Sequence, residues 1–383
     1  MKKYILLFVC CPCFDSLHAQ DISFARKIVD TLTSPYFWGR GYTKDGMSKA
    51  ADFIAAKYKE YGVEPLHGKS FLQLFSYPIN TFPGDMSAII NGRTLVPGKE
   101  FIVAPESRSV KASGNLMQKD SVTFINAEEK FIVHLEEKLT MDLATEVAGY
   151  TMINVDRRAI SSKPMNFSAD IENKFIKNFK ASNICAMVKG TARPDSFIFI
   201  TAHYDHLGGL GKDTYFPGAN DNASGISLLL DLAKYYALHP QPYSIGFICF
   251  AGEEAGLIGS KYYTENPLVP LKHIRFLINT DLAGTGEEGI TVVNATEFPY
   301  EFSMINAVND DKKLLVKINP RGKAANSDHY FFSEKGVPAF FFYTLGGIKA
   351  YHDVFDKAET LPLNEHEDLF RLILGFDQRL MGN

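Results

Sequence analysis

Beyond residue 180 the chain repeats one rhythm: an apolar run, a polar stop, then a helical stretch. Strand candidates are 182–189, 196–203, 244–250, 273–280, 289–294, 314–318 and 338–343. Helix candidates are 223–237, 256–264, 299–309, 327–335 and 363–380. Strands that are apolar almost throughout, with helices between them, require a sheet covered on both faces. The predicted class is therefore α/β, a three-layer αβα domain around a mixed, mostly parallel central sheet. In such sheets, sites lie beyond the carboxyl ends of the strands.

The N-terminal part reads as two helices, 21–33 and 45–61, and a strand over 69–79. Ala50, Phe53, Ile54, Tyr58 and Tyr61 share one face of the second helix, and Gly62 is a natural stop. Between 81 and 180 the pattern changes to short alternating runs broken by turn residues. Asn91-Gly92 after Ala88-Ile89-Ile90 is a strong hairpin signal. This stretch reads as a mainly β insertion. A chain of 383 residues accommodates such a division and still buries a sizeable core.

Met1-Lys2-Lys3 followed by the apolar run Tyr4 to Cys11 reads as a secretory signal ending at Ala19. The run falls short of the ~20 apolar residues that span a membrane, so no stable membrane insertion is expected. The rival is a lipoprotein acylated at Cys10, Cys11 or Cys13, but none of these follows a convincing small-residue lipobox. The expected division is 1–19 signal, 20–80 with 181–383 as one domain, and 81–180 inserted. The localisation expected is exported, periplasmic or extracellular. Cleavage would leave Cys185 and Cys249, both in apolar strand-like runs and both read as buried thiols. Five cysteines in all are too few for a disulfide scaffold. A net charge of −4 offers no basic field for nucleic acid.

The strand ends carry the chemistry. Phe197 to Ala202 runs into His203-Tyr204-Asp205, and residues two apart in extended chain face the same side. Asp221 precedes the helix 223–237, where a lone Asp would ordinarily be an N-cap. Ile245 to Phe250 leads to Glu253-Glu254, which in isolation would be a solvated acidic turn. Phe276 to Thr280 ends at Asp281, and Tyr351-His352 follows the last strand. Together, His203, Asp221, Glu254, Asp281 and His352 are delivered toward one sheet edge. Two histidines and three carboxylates without cysteine suit a catalytic metal pair better than a structural zinc site. One carboxylate must bridge such a pair, whose ions sit about 3.5–4 Å apart. Glu253 and Asp205 remain, one free for proton transfer and one to orient His203.

The ordered set His203-x-Asp205, Gly218-Ala-Asn-Asp221-Asn-Ala-Ser-Gly225, Gly252-Glu253-Glu254-x-Gly256-Leu-x-Gly259-Ser260, Asn279-Thr-Asp281 and Tyr351-His352 resembles the two-zinc exopeptidases of clan MH. The likeness is to metallopeptidase family 28, of the secreted bacterial aminopeptidase type. Ser327-Asp328-His329 and Gly336-Val337-Pro338-Ala339 also match. The resemblance implies two Zn2+ ions and a peptide substrate. It implies that Asp221 bridges, that His203 and Asp281 complete one site, and that Glu254 and His352 complete the other. It makes Glu253 the general base, Asp205 the partner of His203, and Tyr351 part of the substrate site. It implies a cis peptide at Asp221–Asn222, and suggests a protease-associated-like fold for 81–180.

Alternatives within the fold are a glutaminyl cyclase or a carboxypeptidase, the latter with Arg321 or Lys323 taking a substrate carboxylate. A non-catalytic binding domain is the alternative of another class. His206 has no ligand slot in the resemblance and reads as supporting a ligand or facing solvent. His329 reads as structural, and Phe340-Phe341-Phe342-Tyr343 as a buried strand.

Overall fold

A computed structural model describes residues 22–382. The predicted signal 1–19, with Cys10, Cys11 and Cys13, lies outside the described residues. Among those described, no helix is long and apolar enough to cross a membrane.

The main sheet has nine strands, and its centre is parallel. Tyr243–Phe250, Arg193–His203, Ile274–Thr280 and Ala339–Thr344 lie side by side in that order, all pointing the same way. Lys174–Val188 joins one flank antiparallel, and Ile290–Val293 the other. From Arg193–His203 the chain passes through the helix Gly225–Leu238 to one neighbouring strand, then crosses through Ile258–Glu265 to the neighbour on the other side. The order reverses at Arg193–His203, so a crevice opens beyond its carboxyl end.

Alternate side chains of that strand enter two cores. Ile198, Ile200 and Ala202 pack with the helices Ile22–Leu32, Gly46–Tyr61, Gly225–Leu238 and His366–Gly382. Phe197 and Phe199 pack on the other face with Tyr263 and Phe332, from Ile258–Glu265 and His329–Glu334. This is the expected three-layer α/β class. Burying each such side chain is worth roughly 1.5–3 kcal/mol, which explains why the strands are apolar on both faces.

The seven predicted helices are all present. Gly62 ends the second with φ 76°, and Asn91-Gly92 turns a hairpin with both residues at positive φ. The strand expected at 314–318 is instead Ile318–Pro320. Leu314 and Leu315 are buried, but the Asn309 side chain captures both the amide and the carbonyl of Leu315, so the helix end is sealed there.

Residues 82–171 form a four-stranded antiparallel sheet and a five-stranded sheet around Phe101, Phe124, Phe131, Val133, Ile153 and Phe167. This is the mainly β insertion. Its core also takes in Leu207, Phe216 and Val354, so it is continuous with the loops that border the crevice. The expected limits at 81 and 180 fall within two paired strands, Leu72–Thr81 and Lys174–Val188.

Cys185 and Cys249 are unpaired and buried. They sit one residue out of register on adjacent strands, so Cys185 belongs to one core and Cys249 to the other. Side chains on opposite faces of a sheet cannot meet in a disulfide.

Candidate metal centre

His203 is the last residue of its strand, and its side chain is 1% exposed. Its Nε2 faces Asp221 Oδ1 at 3.3 Å and Asp281 Oδ1 at 3.2 Å. Its Nδ1 meets the backbone carbonyl of Asp205 at 3.1 Å, whereas Asp205 Oδ1 is 3.8 Å away. Asp205 therefore reaches His203 mainly through its main chain. Its carboxylate accepts from the Tyr42 hydroxyl and the Glu253 amide, each at 3.2 Å.

Asp221 lies in the irregular turn Ala219–Ser224 rather than at the N-cap of Gly225–Leu238. The Asp221–Asn222 peptide is cis, as the resemblance implied. The turn is held from several sides. Asp356 accepts from the amides of Asn220 at 2.9 Å and Asp221 at 3.0 Å. The wholly buried guanidinium of Arg40 donates to five carbonyls, those of Leu32, Tyr204, Pro217, Gly218 and Asp221. Gly218 has φ 62°, and a Cβ there would lie 2.2 Å from the Asp221 carbonyl oxygen, so only glycine fits.

Glu254 Oε1 is 2.6 Å from His206 Nδ1, and its Oε2 is 3.0 Å from His352 Nε2. His352 Nε2 also faces Asp221 Oδ2 at 3.3 Å. Asp281 takes a hydrogen bond from Ser327 on Oδ2, leaving Oδ1 toward His203. All five expected ligands thus converge. Glu253 stands beside them, with oxygen and nitrogen atoms of His203, Glu253 and Asp281 mutually within 4.8 Å. Tyr351 stacks on the His352 ring at 4.0 Å between centroids and is 43% exposed.

Asp221 directs one oxygen at each histidine. His203 Nε2, Asp221 Oδ1 and Asp281 Oδ1 are buried and have no hydrogen-bond partner. Buried acceptors converge in this way at little cost only around a cation. The donor set of imidazoles and carboxylates, with no thiolate, fits zinc. Electrostatics agree with that reading. Burial opposes charge on His203 and His352, yet the surrounding carboxylates hold both well above the ordinary histidine range. Burial opposes the Asp221 carboxylate, but the imidazoles of His203, His352 and His206 beside it carry it well below its usual range. Glu253 is pushed well above the ordinary range, chiefly by burial.

His206 is fully buried against Glu254, so of the two sequence readings the supporting one holds. His329 is buried beside Phe341. Arg40, Asp356 and Asp142, which lies 3.3 Å from His352 Nδ1, were not anticipated. Nothing in their local sequence distinguishes them, because each acts across a long stretch of chain.

Residues 183–376, just over half of the chain, match the model of Peptidase family M28. Aminopeptidase YwaD of Bacillus subtilis is 25% identical over 259 residues, covering 66% of this chain and 53% of that protein. The chain thus spans about half the length of that relative. A solved zinc aminopeptidase from Bacillus subtilis superposes with a TM-score of 0.68 at 18% identity, over 93% of this chain and 94% of that one. A glutaminyl cyclase from an Acidobacteriales bacterium gives 0.59 at 15% identity, over 97% and 98%. These likenesses establish the fold, and the matched segment contains His203, Asp221, Glu253, Glu254, Asp281 and His352. The chain belongs to peptidase family M28.

Proposed function

We propose that this protein is a metal-dependent exopeptidase, an aminopeptidase that releases N-terminal residues from peptides. The observation that carries the reading is the placement of Asp221, one oxygen toward His203 and the other toward His352. On this reading Asp221 would hold zinc together with His203 and Asp281 on one side and with Glu254 and His352 on the other. Bound zinc would supply Lewis acidity to the scissile carbonyl and acidity to the attacking water. Glu253 takes the proton from that water and passes it to the leaving amine. Burial that raises its affinity for a proton suits that exchange. Asp205 holds His203 through its carbonyl and fixes the turn of Glu253 through its carboxylate.

A cavity of about 540 Å³ lies beside Asn220 and Leu282 and is walled by Tyr343, Leu345, Ile348 and Tyr351. It supports a substrate side chain bound next to the metal pair, with Tyr351 at its edge. Of the cations considered for a carboxypeptidase, Lys323 pairs with Glu334 and Arg321 donates to the Tyr343 hydroxyl. The catalytic domain comprises 20–80 with 181–383, and 1–19 directs export before removal.

The test is hydrolysis of dipeptides with free or acetylated N-termini, with and without chelator. Cleavage of the free forms alone, lost with chelator and restored by zinc, is expected. Activity that ignores chelator, or that needs a free carboxyl terminus instead, refutes the proposal. Ammonia release from N-terminal glutamine would instead indicate a cyclase.

A further inference from the structure

The insertion meets the loop of His352 through the segment 138–142. After the strand Phe131–Glu136, Lys138 Nζ donates to the carbonyl of Lys349 at 2.9 Å and lies 3.5 Å from Asp353 Oδ2. The Met141 amide donates to the His352 carbonyl at 2.9 Å. Asp142 Oδ1 lies 3.3 Å from His352 Nδ1. Leu139 and Met141 are buried in the core of the insertion together with Val354. The segment is therefore anchored on one side and grips the loop around His352 on the other.

His352 needs such a grip. Its φ is 52°, a left-handed backbone uncommon for residues other than glycine. With Nε2 toward Asp221 and Glu254, its ring must carry the proton on Nδ1, and an acceptor there fixes both tautomer and orientation. His203 finds its acceptor two residues along its own chain, and His352 finds one 210 residues away.

We propose that Asp142 is a positioning residue for His352, and that residues 138–142 are a strap by which the insertion completes the metal centre. The proposal rests on the reading of His352 as a metal ligand. The Asp142 side chain is 67% exposed, so replacing it leaves both cores intact.

The test measures zinc affinity of the full chain by competition with a chromophoric chelator. Asp142→Ala should weaken one zinc site roughly 10–100-fold, and Asp142→Asn, which keeps an acceptor, by less. His352→Ala should weaken it further, and adding Asp142→Ala to that variant should change nothing more. Thermal unfolding of the metal-free forms should match wild type. If Asp142→Ala binds zinc like wild type while His352→Ala does not, the strap is refuted and the ligand stands. If His352→Ala binds zinc like wild type, the ligand reading itself fails. An Asp142→Ala loss that persists in the His352→Ala background, or a raised KM with unchanged zinc affinity, also overturns the proposal.

Discussion

The strand Arg193–His203 is buried on every residue from Phe197 onward, whereas Asn166–Ile171 in the insertion alternates strictly between exposed and buried. The first lies in a parallel block with helices on both sides, and the second in an antiparallel sheet with one covered face. Both bury aromatic cores. The difference lies in where the strand ends go. Parallel strands send their carboxyl ends to one edge, so His203, Glu253, Asp281 and the loop of His352 gather there. Antiparallel hairpins distribute their ends to both edges, and no such cluster is found in the insertion among the described residues. Some acidic groups show the same contrast in burial, although Asp221 runs the other way. In the insertion, the Val122 amide and Arg158 hold Asp120 and Asp156 low. In the sheet region, burial pushes Asp205 and Asp356 up to about 6 and Asp377 to about 7.

The contrast can be tested most severely at Glu253. Glu253→Gln should keep its metal, by elemental analysis, and lose about 10²–10⁴-fold in kcat. Full turnover in a metal-loaded variant would remove the chemistry from this edge. The insertion core is probed by Phe131→Ala. Phe131 is wholly buried and stacks on Phe167 at 4.2 Å, so denaturant unfolding should register a loss of about 3–5 kcal/mol. Its kcat should fall far less than that of Glu253→Gln; an equal fall would mean the two regions act as one catalytic body.

The last test concerns pH. Asp377 is buried, accepts from Tyr236 at 2.5 Å, and has its pKa raised from 3.8 to about 7. Between those values the folded state holds a proton that the unfolded chain has released, so stability falls as pH rises. The contribution is whole below about pH 4 and lost above about pH 7, declining by about 1.4 kcal/mol for each pH unit in between. Asp377→Asn should therefore gain Tm relative to wild type between pH 4 and pH 7. A constant difference across that range would show that the carboxyl does not titrate there.

How much of this was legible in the sequence follows from the same geometry. His203, Asp221, Glu253, Glu254, Asp281 and His352 could be singled out because each follows an apolar run or opens a helix, and the sheet rule gives such places one edge. Their supports could not. Asp356 holds Asp221 from 135 residues away, and Arg40 holds it from 181. His206 stood next to the motif, and its sequence left open whether it supports a ligand or faces solvent; the fold places it on Glu254. The strand slip at 314–318 has a local cause, since buried leucines fit a helix seal as well as a strand.

Thr81 and Lys174 are direct partners on adjacent antiparallel strands. The chain thus leaves for the insertion and returns at almost the same point in space. A tight turn of two residues closes such a pair in ordinary hairpins. Gaining or losing the whole intervening segment is therefore a single local event for a gene, one that leaves the register of the main sheet untouched. A descendant that shed it would keep every residue of the crevice edge and would have to find His352 another acceptor.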